Sequence, residues 1–272
     1  MTFIIHPTCK IHSSVTINVK NGYIGAYSII NKDVVIEGHC VKIGREAFID
    51  RYATIGGGSC FDREAFLKAG DWFHMGVNSQ LNIARGITVG HEVGVGVETK
   101  IFTHGCYLDC LNLGAPMQWG EVTIGDNVWL PNAWVNPSVI IGSNVVVGAR
   151  SLINRDIPNG SLAMGSPAVV IKEKYYPRKL SKIEKQEIWN ILEKQIKSRI
   201  TDYYNNEEII FDNLNDTIDI KNKNNKKTIF DLKQKKIYGD ATNISIIIKD
   251  QLRRNGIRFR YEPILDKWKS WE

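Results

Sequence analysis

The sequence of 272 residues has no long apolar run, and its first residues, MTFIIHPTCKIH, contain no charged stretch followed by an apolar core. A transmembrane helix requires about 20 consecutive apolar residues, and a secretory signal peptide requires an apolar core of about 7–15 residues. The sequence therefore predicts neither feature, and we expect a cytoplasmic protein.

Cysteine is also scarce. The five cysteines are odd in number and show no CxxC spacing: Cys9, Cys40, Cys60, Cys106 and Cys110. This pattern favours neither a disulfide framework nor a structural zinc site. We expect buried or incidental thiols and no metal cofactor.

A strong excess of one charge is absent, since the net charge is +6. Basic residues cluster after residue 170, where they are interleaved with acidic ones, and no nucleic-acid-binding motif accompanies them. We therefore expect no nucleic-acid partner. A basic patch for a phosphorylated ligand is at least as good an explanation of the charge.

The sequence does contain an internal repeat with a period of six between residues 11 and 157. Aliphatic residues mark the repeat at Ile24, Ile30, Ile36, Ile43, Ile49, Ile55, Val77, Ile83, Val89, Val95, Ile101, Ile124, Leu130, Ile141, Val147 and Ile153, with Asn136 in one slot. A glycine or another small or turn-forming residue often follows the aliphatic one. Neither an amphipathic helix, with a period of about 3.6, nor a plain strand, with a period of 2, gives this spacing.

A six-residue unit of this kind fits a short strand followed by a corner, and three units complete one triangular coil of a solenoid. The aliphatic side chain is expected to point into the prism, and the small residue to let the backbone bend at the corner. Coils stacked at about 4.8 Å pair their backbone groups with the coils on either side. The repeat therefore predicts a mainly β fold, a parallel β-helix.

The stretch from Val122 to Ile171 includes the segments IGDNVW, RDIP and GSPA. It closely resembles the end of the β-helix domain in the hexapeptide-repeat acetyltransferases, which include galactoside, maltose, xenobiotic and serine acetyltransferases. The resemblance is good over residues 75–172 and looser over residues 11–70. It implies a left-handed parallel β-helix, an acyltransferase that uses acetyl-CoA, and a homotrimer with active sites between subunits.

The repeat is interrupted between Ile101 and Val122 by the insert FTHGCYLDCLNLGAPMQWGE. In the family, a similar loop carries the catalytic base in a threonine–histidine pair, and Thr103–His104 falls on that position. The resemblance therefore implies that His104 is the general base. Imidazole, with an ordinary pKa of about 6.5, can take the proton of an attacking sugar hydroxyl or amine. Its orienting partner is left open among three candidates, which are Asp109, Glu121 and a backbone carbonyl.

The resemblance also assigns residues to acetyl-CoA, which in the family lies in a groove between two β-helices. The matching positions are Asn132, Gly148, Ala149, Asn154, Arg155 and Lys172. Arg155 and Lys172 would face the CoA phosphates, whereas Gly148 and Ala149 would permit a close approach of the pantetheine arm. Corner formation by the glycine and solvated positions for the charges are the alternative explanations.

Fewer residues mark the acceptor site. Asn78 matches an asparagine that contacts sugar in galactoside-type relatives, but Ala84–Arg85 stands where those relatives have an acidic residue. A simple galactoside is therefore not the expected acceptor. Trp119 is expected to stack on a sugar ring, with core or subunit packing as the alternative.

The six-residue rhythm stops after Ile171. Residues 178–200 predict a helix that is capped by Ser181 and packs back on the prism. Its apolar face is expected to contain Leu180, Ile183, Ile188, Ile191, Leu192 and Ile196. Residues 205–228, including NKNNKK at 222–227, predict a polar hairpin or a loosely ordered connection. A strand pair with a turn near 233–236, a helix over 241–254 and a strand over 257–261 complete the chain.

Three parts are thus predicted: a β-helix acyltransferase domain (1–176), an amphipathic helix (177–204) and a small α/β appendage of unknown role (205–272). We expect an O-acetyltransferase that acts on a sugar or nucleotide-sugar in surface-polysaccharide or nucleotide-sugar biosynthesis. The nearest alternative is an amino-sugar N-acetyltransferase. A γ-class carbonic anhydrase of the same fold requires an HxxxxH pair, which this sequence lacks. A non-catalytic scaffold would tolerate loss of His104.

Overall fold

The computed structural model describes residues 2–201, 208–221 and 226–271, and the chain forms two compact units, Met1–Arg178 and Lys179–Glu272. The three-part division expected from the sequence remains a prediction. Within the described ranges, no helix is long and apolar enough to cross a membrane.

The first unit is built from short strands. They are β1 (Phe3–Ile5), β2 (Lys10–Ile11), β3 (Thr16–Ile24), β4 (Ile29–Ile30), β5 (Val35–Ile43), β6 (Phe48–Ile49), β7 (Thr54–Gly56), β8 (Phe66–Ala69), β9 (His74–Met75), β10 (Gln80–Asn82), β11 (Ile87–Val89), β12 (Gly94–Val95), β13 (Lys100–Phe102), β14 (His104–Gly105), β15 (Gln118–Trp119), β16 (Val122–Ile124), β17 (Trp129–Leu130), β18 (Trp134–Val135), β19 (Ile140–Ile141), β20 (Val146–Val147), β21 (Leu152–Ile153), β22 (Leu162–Gly165) and β23 (Ala168–Lys172).

These strands form three faces of a prism, each a parallel sheet made from successive coils. The first face contains β3, β5, β7, β10, β13, β18 and β21. The second face contains β1, β3, β5, β8, β11, β16 and β19. The third face contains β2, β4, β6, β9, β12, β17, β20 and β22, and β23 pairs antiparallel with β22. The expected parallel β-helix is therefore confirmed.

Aliphatic side chains stack inside the prism, coil upon coil. On the first face, each member of the stack is at most 1% exposed: Ile36, Ile55, Leu81, Ile101, Val135 and Ile153. The predicted inward position of Val77 is wrong, because Val77 lies half-buried in a turn and Met75 points inward instead. Leu81 and Val89 are eight residues apart, so the corner between them is two residues longer than the repeat assumes.

The slot given to Asn136 is also wrong. Val135 is the inward residue there, since it pairs in register with Ile101 and Ile153 and is fully buried. The rung from Leu130 to Val135 is one residue shorter than the repeat, which moves the inward position back by one.

The glycines between the second and third faces have a different role from the one expected. They form a column in which each lies against the next coil: Gly25, Gly44, Gly70, Gly90, Gly125 and Gly142. A Cβ atom on Gly44 would lie 2.6 Å from the carbonyl carbon of Gly70, so close stacking of coils excludes a side chain. The backbone bends instead at non-glycine residues with positive φ, such as Glu46 at 52° and Trp72 at 54°.

The described residues of the second unit form two helices and two antiparallel sheets. Its elements are α1 (Lys182–Thr201), β24 (Glu208–Asp212), β25 (Thr217–Lys221), β26 (Lys227–Asp231), β27 (Lys236–Gly239), α2 (Asn243–Arg254), β28 (Tyr261–Ile264) and β29 (Lys267–Ser270). Strands β24 to β27 form a four-stranded meander, and β28 pairs with β29. The two helices and the meander enclose the core of this unit.

Helix α1 confirms the predicted cap and corrects the predicted packing. The Ser181 hydroxyl accepts a hydrogen bond from the Glu184 backbone N–H, and the Glu184 carboxylate accepts one from the Ser181 N–H. The buried side chains are Trp189, Leu192, Ile196 and Ile200, whereas Ile183, Ile188 and Ile191 are exposed. Trp189, Ile196 and Ile200 pack in the core of the second unit.

The remaining expectations for the second unit are met in part. The predicted strand pair is confirmed as β26 and β27, and the predicted second helix as α2. The bounds predicted for a strand over 257–261 are wrong: β28 begins at Tyr261, after Asn255 and Gly256 end α2, and β29 follows it. The polar segment contains the hairpin of β24 and β25, while residues 205–207 and 222–225, with most of NKNNKK, lie outside the described residues.

Candidate active site

The insert leaves the prism at the edge between the first and second faces. Its two ends pair as the short antiparallel strands β14 and β15, which set His104 opposite Trp119. The Gly120 N–H donates to the Thr103 carbonyl over 3.0 Å and closes the base of the insert. This pairing places His104 at the root of the insert, next to the prism, and not at the tip of the insert.

The His104 imidazole is half-buried and is held on two sides. The ring stacks on the Trp119 indole with centroids 4.9 Å apart and an interplanar angle of 22°. Its Nδ1 lies 3.1 Å from Oδ1 of Asn82. Asn82 is the last residue of β10, in the preceding coil of the first face. An aromatic contact and one hydrogen bond together restrict the orientation of the ring.

The partner of His104 is thus none of the three candidates expected from the sequence. Asp109 instead accepts hydrogen bonds from the backbone N–H groups of Leu111 and Asn112 and from the Asn112 side chain. These bonds, chiefly the one from the Asn112 side chain, lower the pKa of the Asp109 carboxyl. The carboxylate therefore stabilises the turn in which it lies. Asn82 takes the position beside the ring.

Thr103 connects His104 to the preceding coil. Its hydroxyl donates to the Asn82 carbonyl over 2.8 Å and accepts the Arg85 backbone N–H over 2.9 Å. Thr103 is fully buried, and both hydrogen-bonding functions of its hydroxyl are used. The threonine of the Thr103–His104 pair therefore fixes the backbone from which the imidazole projects.

Arg85 forms the other side of the site. Its guanidinium carbon lies 4.5 Å from the centroid of the Trp119 ring, a cation–π distance. Its Nε is 3.0 Å from a carboxylate oxygen of Glu64, and its Nη1 is 3.9 Å from one of Asp62. The guanidinium thus links the corner loop between β7 and β8 to the indole that stacks on His104.

The residues assigned to acetyl-CoA lie at three places on the prism. Asn132, Gly148 and Ala149 lie at the edge between the third and first faces, whereas Asn154 and Arg155 lie at the His104 edge, beyond the insert. Lys172 ends β23 beside the third face, with its ammonium 4.3 Å from the Tyr175 ring centroid. One protomer therefore does not bring Asn132, Gly148, Ala149 and Lys172 together with His104.

Two of these positions have structural partners of their own. The Asn132 amide donates to a Glu98 carboxylate oxygen over 3.1 Å. A Cβ atom on Gly148 would lie 2.6 Å from Cβ of Met164, so the stacking of coils already requires a glycine there. Their roles toward acetyl-CoA remain predictions.

The two residues expected to bind the acceptor are also separated. Trp119 supports His104 directly, and its exposed fraction is 36%. Asn78 lies in the turn before β10, at the opposite edge of the first face, where its carbonyl is 3.4 Å from the Lys100 ammonium. Only Trp119 belongs to the His104 site of the same protomer.

Comparison with known proteins agrees with this architecture, although no protein-family profile matches the chain. The galactoside O-acetyltransferase of Escherichia coli K12 is 31% identical over 155 residues, which are 52% of this chain and 76% of that enzyme. This chain belongs to the hexapeptide-repeat acetyltransferases. Its three-sided prism is the left-handed parallel β-helix of that family.

Other acetyltransferases are similar over shorter stretches. The galactoside O-acetyltransferase of Lactococcus lactis is 34% identical over 47% of this chain and 61% of that enzyme. The putative lipopolysaccharide biosynthesis O-acetyl transferase WbbJ of E. coli is 32% identical over 38% of this chain and 60% of that protein. The chain thus covers three quarters of one relative and less than two thirds of the others described here.

Solved structures of acetyltransferases are also similar. The hexapeptide-repeat acetyltransferase VCA0836 of Vibrio cholerae, complexed with acetyl-CoA, is 25% identical over 47% of this chain and 64% of that chain, with a TM-score of 0.34. AntD, an N-acyltransferase of Bacillus cereus, is 19% identical over 63% of this chain and 90% of that chain, with a TM-score of 0.46.

Sequence reasoning missed Asn82 and Arg85 as parts of the site of this acetyltransferase. Asn82 pairs in register with Phe102, two residues before His104, so a correct coil register would have brought them together. The two-residue error around Val77 hid that pairing. In the sequence Arg85 is only a departure from the acidic residue of the relatives, and its contact with Trp119 joins residues far apart in the chain.

Proposed function

We propose that this acetyltransferase transfers an acetyl group from acetyl-CoA to a hydroxyl of a sugar or nucleotide-sugar, in surface-polysaccharide or nucleotide-sugar biosynthesis, with His104 as the general base. The observation that carries the proposal is the fixed, half-buried imidazole at the root of the insert, held by Trp119 and Asn82. The relatives named as O-acetyltransferases of galactosides and lipopolysaccharide support oxygen rather than nitrogen as the acceptor atom.

The chemistry requires one group that can take and return a proton. The acetyl thioester of the bound cofactor supplies the electrophilic carbonyl. His104 removes the proton of the sugar hydroxyl as the new C–O bond forms, and it returns the proton to the sulfur as the C–S bond breaks. Proton transfer by a positioned imidazole contributes about 10²–10⁴-fold to such a rate.

The residues of the last coils fit acetyl-CoA in charge and polarity. Arg155 and Lys172 are exposed and can pair with phosphate groups. Exposed apolar side chains on the same coils can cover the pantetheine arm: Trp129, Trp134, Ile140 and Met164. We propose Asn132, Gly148, Ala149, Asn154, Arg155 and Lys172 as the cofactor contacts and Asn78 and Trp119 as acceptor contacts.

The proposal includes a homotrimer. His104 and Asn132 lie at different edges of one prism, so a groove that uses both is best completed by two protomers. The segment 105–117 of the insert, here named the insert arm, exposes large apolar side chains: Tyr107, Leu108, Leu111, Leu113 and Met117. A loop with this many exposed apolar side chains favours a contact with a second copy.

A panel of acceptors tests the function. Purified protein is mixed with acetyl-CoA and hexoses, nucleotide-sugars, polysaccharide fragments or amino sugars, and free thiol is measured. We expect release with hydroxyl acceptors, a loss of about 10²–10⁴-fold in His104→Ala, and full activity in His12→Ala, which removes an exposed histidine of the first coils. Turnover unchanged in His104→Ala would overturn the assignment of the base, and turnover confined to amines would establish the N-acetyl alternative.

A further inference from the structure

We infer that the side-chain amide of Asn82 selects the tautomer of His104, leaving Nε2 as the unprotonated nitrogen that faces the acceptor. This inference rests on the proposed role of His104 as the base. It makes Asn82 a positioning residue, because Asn82 acts on the reaction through the imidazole.

The backbone of Ala84 identifies which end of the amide faces the ring. The Ala84 N–H lies 3.2 Å from Oδ1 of Asn82, and a backbone N–H can only donate. An amide rotated by 180° would set its NH₂ group against that N–H, donor against donor. The atom shared by Ala84 and His104 is therefore the oxygen.

The amide is also locked in place. Asn82 is 6% exposed. Its backbone carbonyl accepts a hydrogen bond from the Thr103 hydroxyl over 2.8 Å, which fixes the backbone that carries the side chain. The Nδ2 end lies against Gly57, where a Cβ atom would come within 2.5 Å of it. Burial and close packing leave the side chain one orientation.

The oxygen then determines the proton of the ring. His104 Nδ1 is 3.1 Å from Oδ1, which is an acceptor, so Nδ1 carries the hydrogen. A neutral imidazole has one N–H, and Nε2 consequently holds the lone pair. Because the amide is uncharged, it orients the ring without adding a negative charge that would favour the imidazolium form.

Histidine NMR tests the tautomer without any assay of activity. In protein labelled with ¹⁵N-histidine, two-bond ¹H–¹⁵N correlations distinguish a protonated from an unprotonated ring nitrogen, and the His104 signals are assigned by their loss in His104→Ala. At a pH where the imidazole is neutral, we expect a protonated Nδ1 and an unprotonated Nε2. A protonated Nε2 in the unaltered protein would overturn the inference, whether or not His104 is the base.

Two substitutions separate the hydrogen bond from mere packing. Asn82→Leu has a similar size but no acceptor, so we expect kcat to fall by about 10²–10⁴-fold with little change in the KM for acetyl-CoA. Asn82→Asp keeps the acceptor, so it should retain the tautomer and much of the activity. The new carboxylate stabilises the imidazolium, and the acidic limb of its pH–rate profile should move to higher pH. Equal losses in both variants, with the tautomer unchanged, would show a structural role only.

Gly57 offers a test that leaves both partners intact. Gly57→Ala pushes a methyl group against the amide at a backbone φ of +100°, whereas Gly58→Ala, at the next residue, meets nothing within 4 Å. We expect Gly57→Ala to lower kcat and to mix the His104 tautomers, and Gly58→Ala to do neither. If Gly57→Ala folds and shifts the NMR signals of the Asn82 amide but keeps a single Nδ1–H tautomer with full activity, the amide does not set the tautomer and the inference fails.

Discussion

Arg85 and His104 contact the same indole, that of Trp119: the guanidinium carbon lies 4.5 Å from a ring centroid, and the imidazole stacks at 4.9 Å. Arg85 is in turn paired with Glu64 over 3.0 Å. His104 is thus connected through one aromatic ring to a loop that belongs to an earlier coil.

Removal of the indole should loosen the base. In Trp119→Ala the imidazole loses a stacking contact that typically contributes about 0.5–1.5 kcal/mol, so we expect kcat to fall by roughly 2–10-fold. Trp119→Phe retains a ring at the same position and should recover most of that loss. Steady-state kinetics of both variants with a saturating acceptor checks the prediction. Equal activity of the alanine variant and the unaltered protein would contradict it.

Removal of the guanidinium should act on the indole rather than on the fold. Arg85→Met keeps much of the aliphatic stem but loses a cation–π contact of about 0.5–2 kcal/mol and the pair with Glu64. We expect a several-fold lower kcat with little change in the melting temperature, because Glu64 and Asp62 are exposed and need no partner. Arg63→Met replaces the exposed arginine that lies between Asp62 and Glu64, and it serves as the control. A similar loss in both variants would point to a general effect of charge.

The architecture of the first unit could be predicted from the sequence because every coil requires an inward aliphatic side chain at each strand. Ile36, Ile55 and Ile101 could be assigned from spacing alone. The errors arose where a corner gains or loses residues, as between Leu81 and Val89, since counting by six cannot detect a longer corner. Because of this two-residue error in register, the predicted coils did not place Asn82 beside His104.

The family resemblance located His104, but the surroundings of the ring required three dimensions. Asn82 and Trp119 lie 22 residues before and 15 residues after the histidine, and no spacing rule connects them. In the second unit, the apolar face of α1 was misjudged because Trp189 was left out. Ile183 and Ile191 look like core residues in the sequence, yet both are exposed.

The second unit should lose stability in acid through Asp250. Partial burial by itself raises the pKa of this carboxyl, but hydrogen bonds and charges from Arg253, Arg199 and Arg254 outweigh that effect and lower the pKa to about 2 from an ordinary 3.8. A depressed pKa stabilises the folded state above pH 3.8, and the contribution disappears as the pH falls toward 2. After allowance for solvent screening we expect about 1 kcal/mol at pH 7.

Hydrogen exchange of α2 measures this contribution. Asp250→Asn should speed exchange in residues 243–254 at pH 7 and should reduce the difference between pH 5 and pH 2.5. Glu193→Gln removes an exposed pair with Lys197 on α1 and should change stability by no more than about 0.5 kcal/mol. If both substitutions have equal effects, the link from Asp250 to Arg199 between the two helices has no special weight.

The insert arm should control assembly. Leu111 is 90% exposed and Leu113 is 71% exposed, and burying each against a second copy would contribute about 1.5–3 kcal/mol. The double substitution Leu111→Glu, Leu113→Glu should therefore shift the protein from trimer to monomer in sedimentation at micromolar concentration, with a parallel loss of turnover. Leu214→Glu alters a leucine of the second unit that is 88% exposed and should leave the trimer intact.

Mixing of inactive variants shows whether the site is shared. His104→Ala lacks the proposed base, and a double variant of Asn132 and Lys172 to alanine lacks the proposed cofactor contacts away from the His104 edge, so each is expected to be nearly inactive alone. Co-expressed protomers form mixed trimers in which some grooves contain an intact His104 from one protomer and intact Asn132 and Lys172 from another. We expect a quarter or so of the normal activity to return, as random assembly from equal amounts would give one intact pairing in four. No recovery in mixed trimers would mean that His104 and the cofactor residues act within one protomer, and the shared groove would have to be abandoned.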